Sequence, residues 1–316
     1  MESEPIQFIT KTGLAYLKTS RESLANYIHC DPLDIVYTTN PSTALNTVIR
    51  SLDLQPDDEI LTTDQEYGAM DMTWRYYCKK SGAKYIRQHI PLPLTSKKDF
   101  LTAFWSGLTP KTKVIFISAI TSPTALIFPV EEICKKARDL GLMTIIDGAH
   151  APGHIDLNLK NLNADFYSGN CHKWMMSPKG SAFMWSSSKF KNHLDPLIVS
   201  HGWNKKNKST NQKGALGNSR FIDMFEYNGT KDPAAWLSVP ASIKYINKAK
   251  NVKLFQSQSD TLYSFALKLS NIFNMPLLAD REFLPPLMIA VPIPKVNEVE
   301  FQRKLYKNYN KFSPFI

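Results

Sequence analysis

Short β-rich runs alternate with longer stretches of helical spacing over the first half of the chain, and this alternation is the main structural signal. Strands are predicted at Asp34–Thr39, Glu59–Thr63, Lys84–Ile90, Lys113–Ile120 and Met143–Ile146. Between them, helices are predicted at Ala44–Leu52, Ala69–Lys80, Phe100–Leu108 and Val130–Leu140, the last stopped by Gly141. Strand, helix, strand in this order predicts an α/β fold with a mostly parallel sheet, helices on both faces, and ligands gathered at the carboxyl ends of the strands. After Asp147 the pattern changes: Asp165–Gly169, Ser181–Ser186 and Leu197–Ser200 read as strands joined by loops, which predicts a mixed sheet edge. Trp203–Asn218 is polar, basic and without period, and reads as a long surface loop. From Asp232 a long helical region leads to a predicted strand at Leu287–Val291 and a final helix at Asn297–Tyr309, the opening half of a second, smaller α/β unit. The expected division is an N-terminal helical segment over 1–30, a large domain over 31–231, and a connecting helix with an incomplete small domain over 232–316.

Composition narrows the function classes. The 316 residues are 43% hydrophobic, enough for a substantial core. Net charge is +10, but only 21% of residues are charged, so the basic excess is spread thinly and gives little support to a nucleic-acid partner. No run is long and apolar enough to span a membrane, and the start lacks the layout of a secretory signal, so a cytoplasmic protein is expected. Cys30, Cys78, Cys134 and Cys171 lie far apart with no CxxC pair, which argues against a zinc cluster or a disulfide scaffold.

Four segments carry candidate chemistry. In ADFYSGNCHKWMMSPKG a strand ends at Ser168 and Gly169, and the turn beyond it presents Asn170, His172 and Lys173 beside Trp174. A lysine in a partly apolar, cationic setting loses its proton more easily and becomes a nucleophile toward an aldehyde; an ordinary turn lysine is the plain alternative. Asp147 closes a buried strand in IIDGAHAPGH and needs a cationic partner there, such as a protonated pyridine nitrogen. His150 follows within reach of a hydroxyl on the same ring, and His154 raises a zinc alternative that Pro152 and Gly153 weaken by breaking any helix that would align the two imidazoles. In TTNPSTALNTVI, Asn40, Ser42 and Thr43 sit between a strand and a helix, where they suit either a phosphate cradle or simple N-capping. Glu66 and Tyr67 follow the Glu59–Thr63 strand, with Tyr67 placed either to stack on a flat cofactor or to fill the core. SPKGS is not a Walker phosphate loop, because it lacks both the leading glycine and the order of that motif.

Taken together, DGAH, SGNCHKW, SPKGSAF and NGTKDPAAWLSVPA resemble the class V aminotransferase family of pyridoxal phosphate (PLP) enzymes, and within it the branch of isopenicillin N epimerase, cysteine-type lyases and cysteine desulfurases. The resemblance implies PLP fold type I, with a seven-stranded sheet. It makes Lys173 the lysine of the Schiff base with PLP, Asp147 the partner of the pyridinium nitrogen, and His150, with Ser122, a neighbour of the ring hydroxyl. Tyr67 would stack on the ring, while Ser42, Thr43, Asn170 and His172 would hold the phosphate. Gly229 and Thr230 would reach the phosphate of a neighbouring protomer, which implies a homodimer with composite sites. Lys231, Ala119 and Pro41 depart from the family pattern, and the chain is shorter than the family at both ends.

The implied reaction takes place at Cα or Cβ of an amino-acid substrate, as an epimerase or cysteine-type lyase, with Lys173 as acid and base. Desulfuration is disfavoured because no cysteine follows Cys171. The alternative is a PLP-fold binding protein impaired in catalysis by loss of the region that grips the substrate carboxylate.

Overall fold

The computed structural model describes residues 3–203, 218–251 and 253–309. The predicted Trp203–Asn218 loop therefore lies almost wholly outside the described residues. Seven strands, β1 (Ile35–Thr38), β2 (Glu59–Thr63), β3 (Lys84–Gln88), β4 (Thr112–Ser118), β5 (Met143–Gly148), β6 (Phe166–Asn170) and β7 (Ala182–Ser186), form one sheet in the order β1-β7-β6-β5-β4-β2-β3. All run parallel except β7, which is antiparallel to both neighbours. The reversal thus lies one strand inside the sheet, where β6 and β7 are joined by a loop too short for a crossover helix.

Period-two alternation explains why these runs are strands. On β4, Ile115 and Ile117 join the core on one face while Val114 and Phe116 join that on the other. Both faces are covered, so the central strands are apolar throughout. Helix Pro41–Arg50 begins ahead of the predicted Ala44 because Pro41 suits the first helical position and the Asn40 side chain accepts from the Thr43 amide at 2.8 Å. Helix Lys97–Trp105 likewise starts early, capped by Ser96.

Two predicted strands are absent. Leu197–Ser200 is irregular, with Ile198 and Val199 exposed. The outer edge of β1 that it would need is covered by helix Arg220–Glu226, whose Glu226 carboxylate accepts from the Tyr37 amide at 2.8 Å. Leu287–Val291 also forms no strand, since no second sheet exists among the described residues for it to join. Instead Leu287 donates its amide to His154 Nε2 at 2.9 Å, and Leu287, Met288 and Ile289 pack half-buried on the main core. The expected boundary near residue 231 falls between helix Arg220–Glu226 and helix Val239–Asn251. Beyond helix Leu254–Phe273 the chain returns to the large unit, pairing Ala279 with Leu94 and bonding the Phe283 carbonyl to the Ile127 amide. No helix among the described residues is long and apolar enough to cross a membrane.

Candidate active site

Asp147 stands one residue from the end of β5, in register with Ser118 on β4 and Ser168 on β6. Gly148 beside it admits the buried Tyr167 ring: a methyl group there would lie 2.0 Å from the ring's ζ carbon. Asp147 is 4% exposed, and one of its oxygens accepts from the Ala149 amide at 2.9 Å. Burial raises the pKa of this carboxyl, against the opposing pull of the Ala149 amide and of Lys173.

The loop after β5 then crosses the turn after β6. Gly153, at φ +81°, passes so close to Trp174 and Met175 that a side chain would strike their backbone at 2.7 Å. This crossing brings His150 to Lys173, with His150 Nε2 and Lys173 Nζ 3.0 Å apart. Trp174 donates its indole N–H to His150 Nδ1 at 3.1 Å. Lys173 is accessible from the cleft, yet the surrounding protein displaces enough water to lower its amine pKa, with Asp147 opposing and Lys179 adding to the effect. Burial also pushes His150 down to about 3, helped by Lys173 and His154. The imidazole is therefore neutral over the physiological range.

Asp147, His150 and Lys173 line one cavity of about 270 Å³, near the low end of the roughly 300–1,000 Å³ common for small-ligand sites. Ser42, Ser122, Tyr67, Asn170 and His172 line it too, so most of the residues singled out from sequence meet here. Thr43 does not line it: its amide and hydroxyl are both committed to Asn40 Oδ1. Gly229 and Thr230 lie in a separate cavity of about 640 Å³, against helix Gly13–Tyr27. The zinc alternative for His154 fails, because its Nδ1 is bonded to the His150 carbonyl at 3.1 Å and its Nε2 accepts from Leu287. Among the described residues no cluster of three metal-ligating side chains exists.

Sequence reasoning missed three parts of this site. Ser118 lines the cavity at the end of β4, a position legible only once the strand register is known. Glu66 is buried beneath it, accepting from the Ser118 amide at 2.9 Å, from the Ser118 hydroxyl at 2.6 Å and from the Thr63 hydroxyl at 2.7 Å. Trp174 reads from the sequence as apolar surroundings, whereas its indole N–H acts directly on His150.

The whole-chain pattern matches the family model described as aminotransferase class-V over residues 9–308, and the chain belongs to that family. It is 34% identical over 247 residues to isopenicillin N epimerase of Streptomyces clavuligerus, a match covering 78% of this chain and 62% of that protein. It is 25% identical to hercynylcysteine sulfoxide lyase of Schizosaccharomyces pombe, covering 95% of this chain and 76% of that one. The chain thus spans about three-fifths of the length of the epimerase. Among solved structures, the cysteine desulfurase of Thermococcus onnurineus superimposes with a TM-score of 0.76 at 21% identity, covering 93% of this chain and 72% of that one. A cystine C–S lyase, solved with its reaction product cysteine persulfide, gives 0.74 at 21% identity over 93% of this chain and 77% of that one. The fold is the PLP fold type I expected from the sequence.

The residues present fit PLP. Asn170 Oδ1 and His172 Nδ1 are buried at the cavity with no hydrogen-bond partner among the described residues, so the site holds polar atoms that a bound polar group would satisfy. An amine able to join an aldehyde and a carboxylate able to pair with a ring N–H line the same space.

Proposed function

We propose that this chain binds pyridoxal phosphate through the Lys173 amine and acts at Cα or Cβ of an amino acid, as an epimerase or a cysteine-type lyase. The observation that carries this reading is the convergence of Lys173, Asp147 and His150 on one cavity. When bound, the cofactor supplies an electron sink for the bond broken at Cα.

The chain's own residues do the rest. Asp147 would hold a proton on the ring nitrogen by charge-assisted hydrogen bonding. His150 and Ser122, on the wall of the same cavity, would serve the ring hydroxyl, and Tyr67 would pack on the ring. Asn170, His172 and Ser42 would take the phosphate, with Ser42 at the amino end of helix Pro41–Arg50, where the helix dipole favours an anion; Thr43, turned to Asn40 and off the cavity, is left out of that set. Lys173, the amine that lines the cavity, would be the group that adds or removes the proton at Cα. Gly229 and Thr230 would complete the site of a second copy in a homodimer; that they line a different cavity from the chain's own Lys173 supports that role. The reading places the protein in the cytoplasm with an amino-acid substrate and no membrane or nucleic-acid partner.

The test is borohydride reduction of the protein after incubation with PLP, followed by peptide mass spectrometry. A pyridoxyl mass on the Lys173 peptide, lost in Lys173→Ala, is expected; the mass on Lys179 or on no lysine overturns the assignment. A panel of cysteine, cystine and other amino acids is then followed for pyruvate, sulfide and racemised product. Cofactor capture with silence across that panel would leave a binding protein without turnover.

A further inference from the structure

The turn and loop that form the cavity also fix where one proton sits. An indole N–H only donates, so His150 Nδ1, 3.1 Å from Trp174 Nε1, must be bare. A neutral imidazole then carries its proton on Nε2, and that nitrogen lies 3.0 Å from Lys173 Nζ. An ammonium group has no lone pair to receive it, whereas a free amine has. The indole is itself held: His154 stacks on it with ring centroids 4.2 Å apart and planes 30° from parallel. His154 is fastened in turn by the His150 carbonyl and the Leu287 amide.

We propose that Trp174 is a positioning residue that locks His150 with its proton on Nε2 and thereby holds Lys173 as an uncharged amine, ready to capture a carbonyl. This deepens the reading of the site as one that takes an aldehyde cofactor, and it concerns the chain's own proton before any cofactor arrives. Other charges also face the amine. Asp147 on β5 favours the ammonium form and Lys179 in the same turn opposes it, while His172 and His154 flank the pair. Asp147, Lys179 and His172 are unchanged in a Trp174 variant, so their contribution cancels in a comparison with wild type, and His154, which packs on the indole, keeps its own bonds to the His150 carbonyl and the Leu287 amide.

The test uses the full chain free of cofactor. The ¹⁵N shifts of His150 distinguish a bare ring nitrogen from one bearing a proton. Wild type is expected to show Nδ1 bare and Nε2 protonated, and the reverse assignment overturns the proposal even if no variant folds. In Trp174→Phe the ring packing stays but the N–H is gone. His150 is then free to move its proton to Nδ1, and Nε2 becomes an acceptor for a Lys173 ammonium. The pH midpoint of Lys173 acetylation, read peptide by peptide, should therefore rise by about one pH unit, ~tenfold in proton affinity. An unmoved midpoint with an unchanged tautomer in a folded variant refutes the role, since loss of packing alone does not retune that amine. Borohydride fixation of PLP on Lys173 can succeed or fail independently of these readouts, so the two ideas fall separately.

Discussion

Glu66→Gln is expected to make the protein more stable at alkaline pH and to flatten its stability between acid and neutral conditions. The wild-type carboxyl is buried under Ser118, and burial outweighs the three hydrogen bonds it accepts, raising its pKa from the ordinary 4.5 to about 7; the nearby Asp147 charge adds to the rise. In the unfolded chain the same group ionises near 4.5. Between those two values the folded state holds more protons than the unfolded one, so stability falls as pH rises through the window and is level above it. At about 1.4 kcal/mol for each tenfold change in proton affinity, the loss is about 3 kcal/mol. A glutamine fits the same hydrogen bonds: its oxygen accepts from both Ser118 donors and its amide group donates to the Thr63 hydroxyl. Urea unfolding of both proteins at closely spaced pH values checks this. The difference in stability between variant and wild type should grow by about 3 kcal/mol from pH 4.5 to pH 8. A difference independent of pH would mean that Glu66 is ionised in the folded protein throughout, and that the hydrogen bonds, not burial, decide its state.

The sheet was legible because its central strands are buried on both faces and bounded by helices with clear spacing. β4 and β5 announce themselves as Val114–Ile117 and Thr144–Ile146, and Asp147 at the end of such a run is conspicuous. Lys173 and His150 were legible by residue type, but their meeting depends on Gly153 allowing two loops to cross, which no local pattern encodes. Leu197–Ser200 and Leu287–Val291 have strand-like composition, yet a strand exists only where an edge is free to pair with it; in one case Glu226 occupies that edge, in the other no sheet is present among the described residues. Glu66 and Trp174 escaped for a related reason. Their chemistry lies in partners distant in sequence, Ser118 and His150, so the residue names alone gave no sign of which atoms they would meet.

Asp147→Asn exchanges a charge-assisted hydrogen bond to a ring N–H for a neutral one, a loss of about 1.4 kcal/mol, so PLP affinity should fall about tenfold in a fluorescence titration; equal affinity removes Asp147 from the ring nitrogen. Gly148→Ala forces a methyl group to within 2.0 Å of the Tyr167 ring, which is buried and stacked on Phe183, and should cost at least about 1–3 kcal/mol in urea unfolding. Arg21→Ala tests whether the helix that covers β1 is held by charge. Arg21 and Glu226 side chains are 5% and 6% exposed and paired, and Glu226 also takes the Tyr37 amide, so deleting the guanidinium strands a buried carboxylate rather than merely removing one contact. The expected loss is about 3–5 kcal/mol. Arg21→Ala/Glu226→Gln should recover part of it, because a neutral amide still accepts from Tyr37 without a charge to bury. If the double variant is no more stable than the single one, the damage is lost packing of the arginine stem against the apolar cavity beside it, and charge plays no part in closing that edge of the sheet.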